Sequence, residues 1–218
     1  MKLSRRLAIV ASAAALALAG SAAVAPSASA TTTGTRSLAT VLLADKSGFD
    51  RNKYDYDIVT AAVLAVLKAK PSSAVSVLTK GDVALTAFIP NDEAFRRLVY
   101  SLTGTWVHSE KDVFAAVAGL GIPTVETVLL YHVVPGATIT RAQAVKANGA
   151  ALTTAQGGMV KVKVTWYWWH PTVTLRDKDP NATNPKVNKF NINKGNKQIA
   201  HGIDRVLRPL DLPPVAAH

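Results

Sequence analysis

The chain has 218 residues, with 25 Lys or Arg against 14 Asp or Glu, a formal net charge of +11, and no cysteine. Without cysteine there is no disulfide framework and no thiolate metal site, and basic residues scattered along the chain, with no basic recognition helix, argue against nucleic acid. The positive balance favours an anionic partner.

The first thirty residues read as a secretory signal peptide. "MKLSRR" supplies three positive charges, "LAIVASAAALALAG" an apolar run, and "APSASA" a small-residue end with Ala28 and Ala30 in A-x-A spacing, which sets the cut after Ala30. A lipid anchor through cysteine is excluded, and no later stretch reaches the roughly 18 uncharged apolar residues that a membrane span needs. The expected product is secreted (extracellular) and free, and loss of Lys2, Arg5 and Arg6 lowers its charge from +11 to +8. Residues 31–37, "TTTGTRS", read as a flexible lead-in, 38–212 as one domain and 213–218 as a tail. A chain of this size buries about 70% of its unfolded surface and needs no staples.

From Asp57 a helix is expected. Ile58, Ala62, Val63, Val66 and Leu67 recur at helical spacing, Asp57 is placed to cap, and Pro71 closes the segment. Residues 83–89 are apolar on both alternating faces, as in a buried strand. Asn91 then caps a second helix, with Asp92 and Glu93 in its first turn and Phe95, Leu98, Val99 and Leu102 as its apolar stripe. A helical pair follows at 110–118, with Ser109 as cap, and at 124–131. After "YHVVPG", Thr140 and Gln143 stand in capping-box spacing and Gly149 ends a short helix.

The period then changes from 3.6 to 2. "ALTTAQGGMVKVKVTWYWW" reads as a hairpin around Gln156-Gly157-Gly158, "TVTLR" as a strand and "KQIAHGIDRVLRP" as the last one. Helices first and strands late make the fold class α+β. By parity, Val160, Val162, Val164, Trp166 and Trp168 share one face of the tryptophan strand, and Lys161, Lys163, Thr165, Tyr167 and Trp169 the other. The first set is expected to be core. Tyr167 and Trp169 are either a ligand platform or covered by the segment that follows.

Other constellations are weaker. His201 and Asp204 are three apart in a strand, hence on opposite faces, and no G-x-S-x-G is present; no catalytic residue and no cofactor is expected. Asp177, Asp179 and Asn181 alternate like the start of a calcium loop, but the sixth position is Ala182 and the twelfth Asn188, so the segment reads as a polar turn with no metal. Asn181-Ala-Thr is an N-glycosylation sequon.

Three segments together resemble the fasciclin family: "TAFIPNDEAF" at 86–95, "LLYHVVPG" at 129–136 and "HGIDRVLRP" at 201–209, in the family's order. The resemblance implies helices packed around a wedge of two β-sheets, and a secreted or surface protein associated with cell adhesion, without enzyme activity. It also implies a binding role for the Tyr-His pair of the second segment, here Tyr131 and His132; the apolar neighbours of that pair fit a structural role equally. An alanine-rich leader before a single such domain resembles secreted actinobacterial proteins. The expected function is therefore adhesion to, or organisation of, an extracellular matrix or cell-wall component, an anionic polysaccharide among them, with self-association as a route to multivalency. The alternative is a soluble carbohydrate- or small-ligand-binding protein using the aromatic strand 166–169.

Overall fold

Helical spacing governs the first half of the fold and alternation the second. In the computed structural model, which describes residues 34–211, the helices are α1 (Leu38–Leu42), α2 (Asp57–Ala69), α3 (Asp92–Thr103), α4 (Glu110–Ala118), α5 (Ile122–Tyr131) and the four-residue α6 (Arg141–Ala144), with a 3-10 turn at Ala74–Thr79. The strands are β1 (Leu85–Pro90), β2 (Val133–Pro135), β3 (Ala151–Thr153), β4 (Met159–Tyr167), β5 (His170–Arg176), β6 (Val187–Ile192) and β7 (Gln198–Ile203). The expected signal peptide, its cut after Ala30 and the tail lie outside the described residues.

Caps decide where several helices begin. Asn91 Oδ1 accepts a hydrogen bond from Ala94 N at 3.0 Å, as expected, and Gly104 at φ 71° closes α3. α2 differs from expectation, since its N-cap residue Tyr56 makes no side-chain cap bond. The cap comes from another helix: Asp92 accepts from Ile58 N at 2.9 Å and Asp57 N at 3.2 Å. Thr140 and Gln143 form the expected capping box.

The strands make two sheets, β2-β1-β7-β6 and β3-β4-β5. β1 is buried along its whole length because it pairs with β2 and β7 at its edges and is covered on both faces. Leu85, Ala87 and Ile89 pack with α2–α5 in one core, while Phe88 packs with β4 and β5 in a second. β1 and β7 run parallel, from Leu85↔Gln198 to Pro90↔Ile203. Helices together with two sheets make the α+β class that the sequence indicates.

Some elements were not legible. β6 reads "VNKFNI", is only partly buried, pairs with β7 through register shifts and holds Asn191 at φ 61°; a bulged strand carries no clean alternation. The last strand stops at Ile203, short of Pro209. Within the expected lead-in, Gly34 N donates to Gly195 O and Lys197 N to Gly34 O, both at 3.0 Å. Residues 34–37 are thus tied down, since backbone pairing needs no side-chain pattern.

Candidate functional site

The aromatic segment is the tip of the β4–β5 hairpin. Alternation holds along β4 up to Val164: Val160, Val162 and Val164 are buried, with Val173 and Leu175 opposite on β5. The next residue on that face, Trp166, pairs with Pro171 and is 60% exposed. The expectation that Trp166 and Trp168 are core is therefore overturned. Parity states which face a side chain takes and says nothing of how far the core extends. Support from the third strand ends at the same place, because Val164 N donates to Asn148 Oδ1 at 2.8 Å. Beyond it β3 contributes no pairing, and the tip stands free as a two-stranded ribbon.

Tyr167, Trp168, Trp169 and His170 are all exposed. Tyr167 pairs with His170, so Trp168 and Trp169 are the two loop residues. Trp168 sits at φ 57°, the left-handed region where tight hairpins ordinarily place Gly or Asn. A bulky side chain there costs on the order of 1–2 kcal/mol. The rings meet edge to face, Trp168 and Trp169 with centroids 5.6 Å apart, and Trp169 is 5.7 Å from the His170 ring. Below them, the exposed face of the ribbon carries Lys161, Lys163 and Arg176. Cations beside an aromatic cap can hold a ligand that offers an apolar face and a negative charge.

Tyr131 and His132 lie elsewhere, and neither reaches the surface. Tyr131 is fully buried and its hydroxyl donates to Met159 O at 2.8 Å. Its ring lies so close to the 154–158 connection that a Cβ on Gly158 would stand 2.9 Å from Tyr131 Cε2, which is why glycine occupies that place. His132 Nδ1–H donates to Val128 O at 2.7 Å, and Nε2 accepts from Leu207 N at 2.9 Å. Burial pushes its pKa down to about 4, so the ring is neutral and joins the end of α5 to the segment after β7. The pair expected to bind is in this fold a structural fastening.

The remaining constellations are structural as well. His201 is fully buried, taking Asn191 N on Nδ1 (3.2 Å) and facing Ile139 O with Nε2 (2.8 Å), while Asp204 accepts from Lys186 N at 2.7 Å. They make no dyad. Asp177 accepts from Arg208 N at 2.8 Å, and Asp179 pairs with the Arg208 guanidinium at 3.0 Å, so the polar turn is committed to Arg208. An apolar cleft of about 370 Å³ opens between α3, α5 and residues 206–210; two of its polar side chains are spent internally, Thr127 on Pro123 O and Arg208 on Asp179. A separate group of carboxylates, Asp50, Asp55, Asp57, Asp92 and Glu110, gathers where α2, α3 and α4 begin. Sequence spacing alone does not bring these five together. Among the described residues no single helix is long and apolar enough to cross a membrane.

The fasciclin domain family model matches residues 60–209. Among solved structures, the chain is similar to a FAS1 domain pair from the insect cell adhesion molecule Fasciclin I, at 15% identity and a TM-score of 0.43. That match covers 69% of this chain and 43% of the other. No curated protein matches the chain.

Proposed function

Because the chain belongs to the fasciclin family, whose domains are generally linked to cell adhesion and occur in extracellular or membrane-associated proteins, we propose that it is a secreted adhesion-type binding protein whose contact surface is the aromatic tip of the β4–β5 hairpin. It acts by surface complementarity, with no bond chemistry. Its partner is a matrix or cell-wall polysaccharide bearing acidic groups.

The observation that carries this reading is the run Trp166 to His170, exposed at both faces of a ribbon that projects past its sheet. Soluble domains seldom leave so much contiguous apolar area uncovered without a use for it. Trp168 adds a second argument. A strained backbone at a loop tip is kept where the side chain it presents is needed, and glycine would satisfy the turn better. Stacked rings suit the apolar face of a sugar, and Lys161, Lys163 and Arg176 suit its carboxylate or phosphate.

The test is co-sedimentation of the protein with insoluble cell-wall and matrix polysaccharides, beside anionic and neutral lipid vesicles. Wild type should bind an acidic polysaccharide, and Trp169→Ala should weaken binding about tenfold, the worth of about 1.4 kcal/mol. Binding confined to vesicles, or polysaccharide binding that survives Trp168→Ala and Trp169→Ala together, overturns the reading.

A further inference from the structure

Five of the fourteen acidic residues of this basic protein stand in one place. Asp57, Asp92 and Glu110 are the first residues of α2, α3 and α4, and positive helix ends favour acids there. Two of the five are already committed. Asp92 spends both oxygens on Asp57 N and Ile58 N. Glu110 meets Arg96 at 2.9 Å and Asp50 N at 2.7 Å.

Asp50 spends Oδ1 on Asn52 N at 2.5 Å; Asp55 and Asp57 are less fully committed. Asp57 is 8% exposed, and its Oδ2 is buried with no hydrogen-bond partner; Asp55 Oδ1 is in the same condition. An unpaired buried carboxylate oxygen is costly to keep. One carboxylate oxygen from each of Asp50, Asp55 and Asp57 lies within 4.8 Å of the other two. Oxygens around one calcium ion, each about 2.3–2.6 Å from it, stand at most about 5 Å apart. Asp50 is exposed and leaves the group open to solvent.

We propose that Asp50, Asp55 and Asp57 form a calcium site. The donors are all hard oxygens, and three carboxylates on an irregular segment suit calcium's flexible coordination better than magnesium's strict octahedron. With carboxylate oxygens within 4.8 Å of one another, the three like charges repel. A divalent cation relieves that repulsion and fastens residues 50–55 to the start of α2.

The experiment is a thermal melt and a calorimetric titration of the purified protein, first stripped by chelator, then given CaCl2 or MgCl2. Extracellular sites of this kind bind in the range of about 0.1–1 mM. At about ten times the dissociation constant calcium should raise the melting temperature by about 3 °C or more, with one ion bound per chain. Asp50→Asn, at an exposed position, and Asp57→Asn should each lose that increment, yet melt no lower than chelated wild type, because each removes a repelled charge. Coincident melts with and without calcium overturn the proposal. So does an increment that both variants retain, or an equal one from magnesium. None of these outcomes depends on polysaccharide binding, so the two readings fail separately.

Discussion

His132 shows how one buried side chain sets a dependence on pH. Its folded pKa, about 4, lies below the ordinary 6.5 because burial disfavours the charged ring. A group depressed on folding stabilises the protein above its unfolded pKa and ceases to do so as pH falls through the interval between the two values. The contribution of His132 is therefore complete above about pH 6.5 and is lost toward pH 4. Protonation would also deprive Leu207 N of its acceptor. The stability gap between wild type and His132→Asn should then narrow over this interval, at up to about 1.4 kcal/mol per pH unit. Taking the difference cancels the carboxylates that titrate in both proteins. Urea melts at pH 7, 6 and 5 measure it, and a gap that stays constant would show that the imidazole is not held neutral.

Trp168 makes the complementary case, a residue whose cost is local and whose worth lies outside the fold. Replacing it with Gly removes the strain of φ 57°, and loses an exposed edge-to-face contact with Trp169 along with some unfolded-state stiffness. These effects are each about 1 kcal/mol and opposed. Trp168→Gly should thus change stability by no more than about 1 kcal/mol, while polysaccharide binding falls. A buried tryptophan would cost about 3–5 kcal/mol on truncation. A loss of that size at Trp168 would contradict the exposed hairpin tip.

At the scale of elements, β4 marks the boundary of what the sequence discloses. Its valines and lysines alternate, and the structure follows them residue by residue as far as Val164. Trp166 keeps the parity but lies past the last layer of the core, a limit set by the length of β3 and by Asn148, which is distant in sequence from the tryptophans. The turn was hidden for a different reason: "WYWWHP" contains no Gly or Asn to announce a tight hairpin. β6 was hidden by its bulges and α1 by its five-residue length. The helices with full stripes and caps, α3 above all, were legible because local chemistry specifies them. A pair of truncations tests the depth argument directly. Val164→Ala should cost on the order of 1–3 kcal/mol, since its methyl groups fill the second core. Trp166→Ala, two residues further on the same face, should cost less than about 1 kcal/mol. Equal losses would mean that the core reaches the tip after all.

At the scale of the whole molecule, charge is sorted by the fold in a way that composition does not reveal. The acidic residues are few, and five of them collect at the helix starts, which leaves the ribbon below the aromatic tip with Lys161, Lys163 and Arg176 on its exposed face. The sequence shows only a scattered excess of positive charge. If the acidic polysaccharide is held by both parts of that surface, its affinity has a screened component and an unscreened one. Exposed charges interact over about 8 Å at physiological ionic strength and about 3 Å at 1 M salt, whereas ring stacking has no such dependence. Binding measured from low to high salt should therefore weaken several-fold and then level off at a residual affinity. Lys161→Gln with Lys163→Gln should flatten the salt dependence and leave the plateau, because those variants keep the rings. Trp169→Ala should lower the plateau and leave the slope. Binding that salt abolishes completely would assign the whole contact to the lysines and arginine, and would remove the aromatic tip from it.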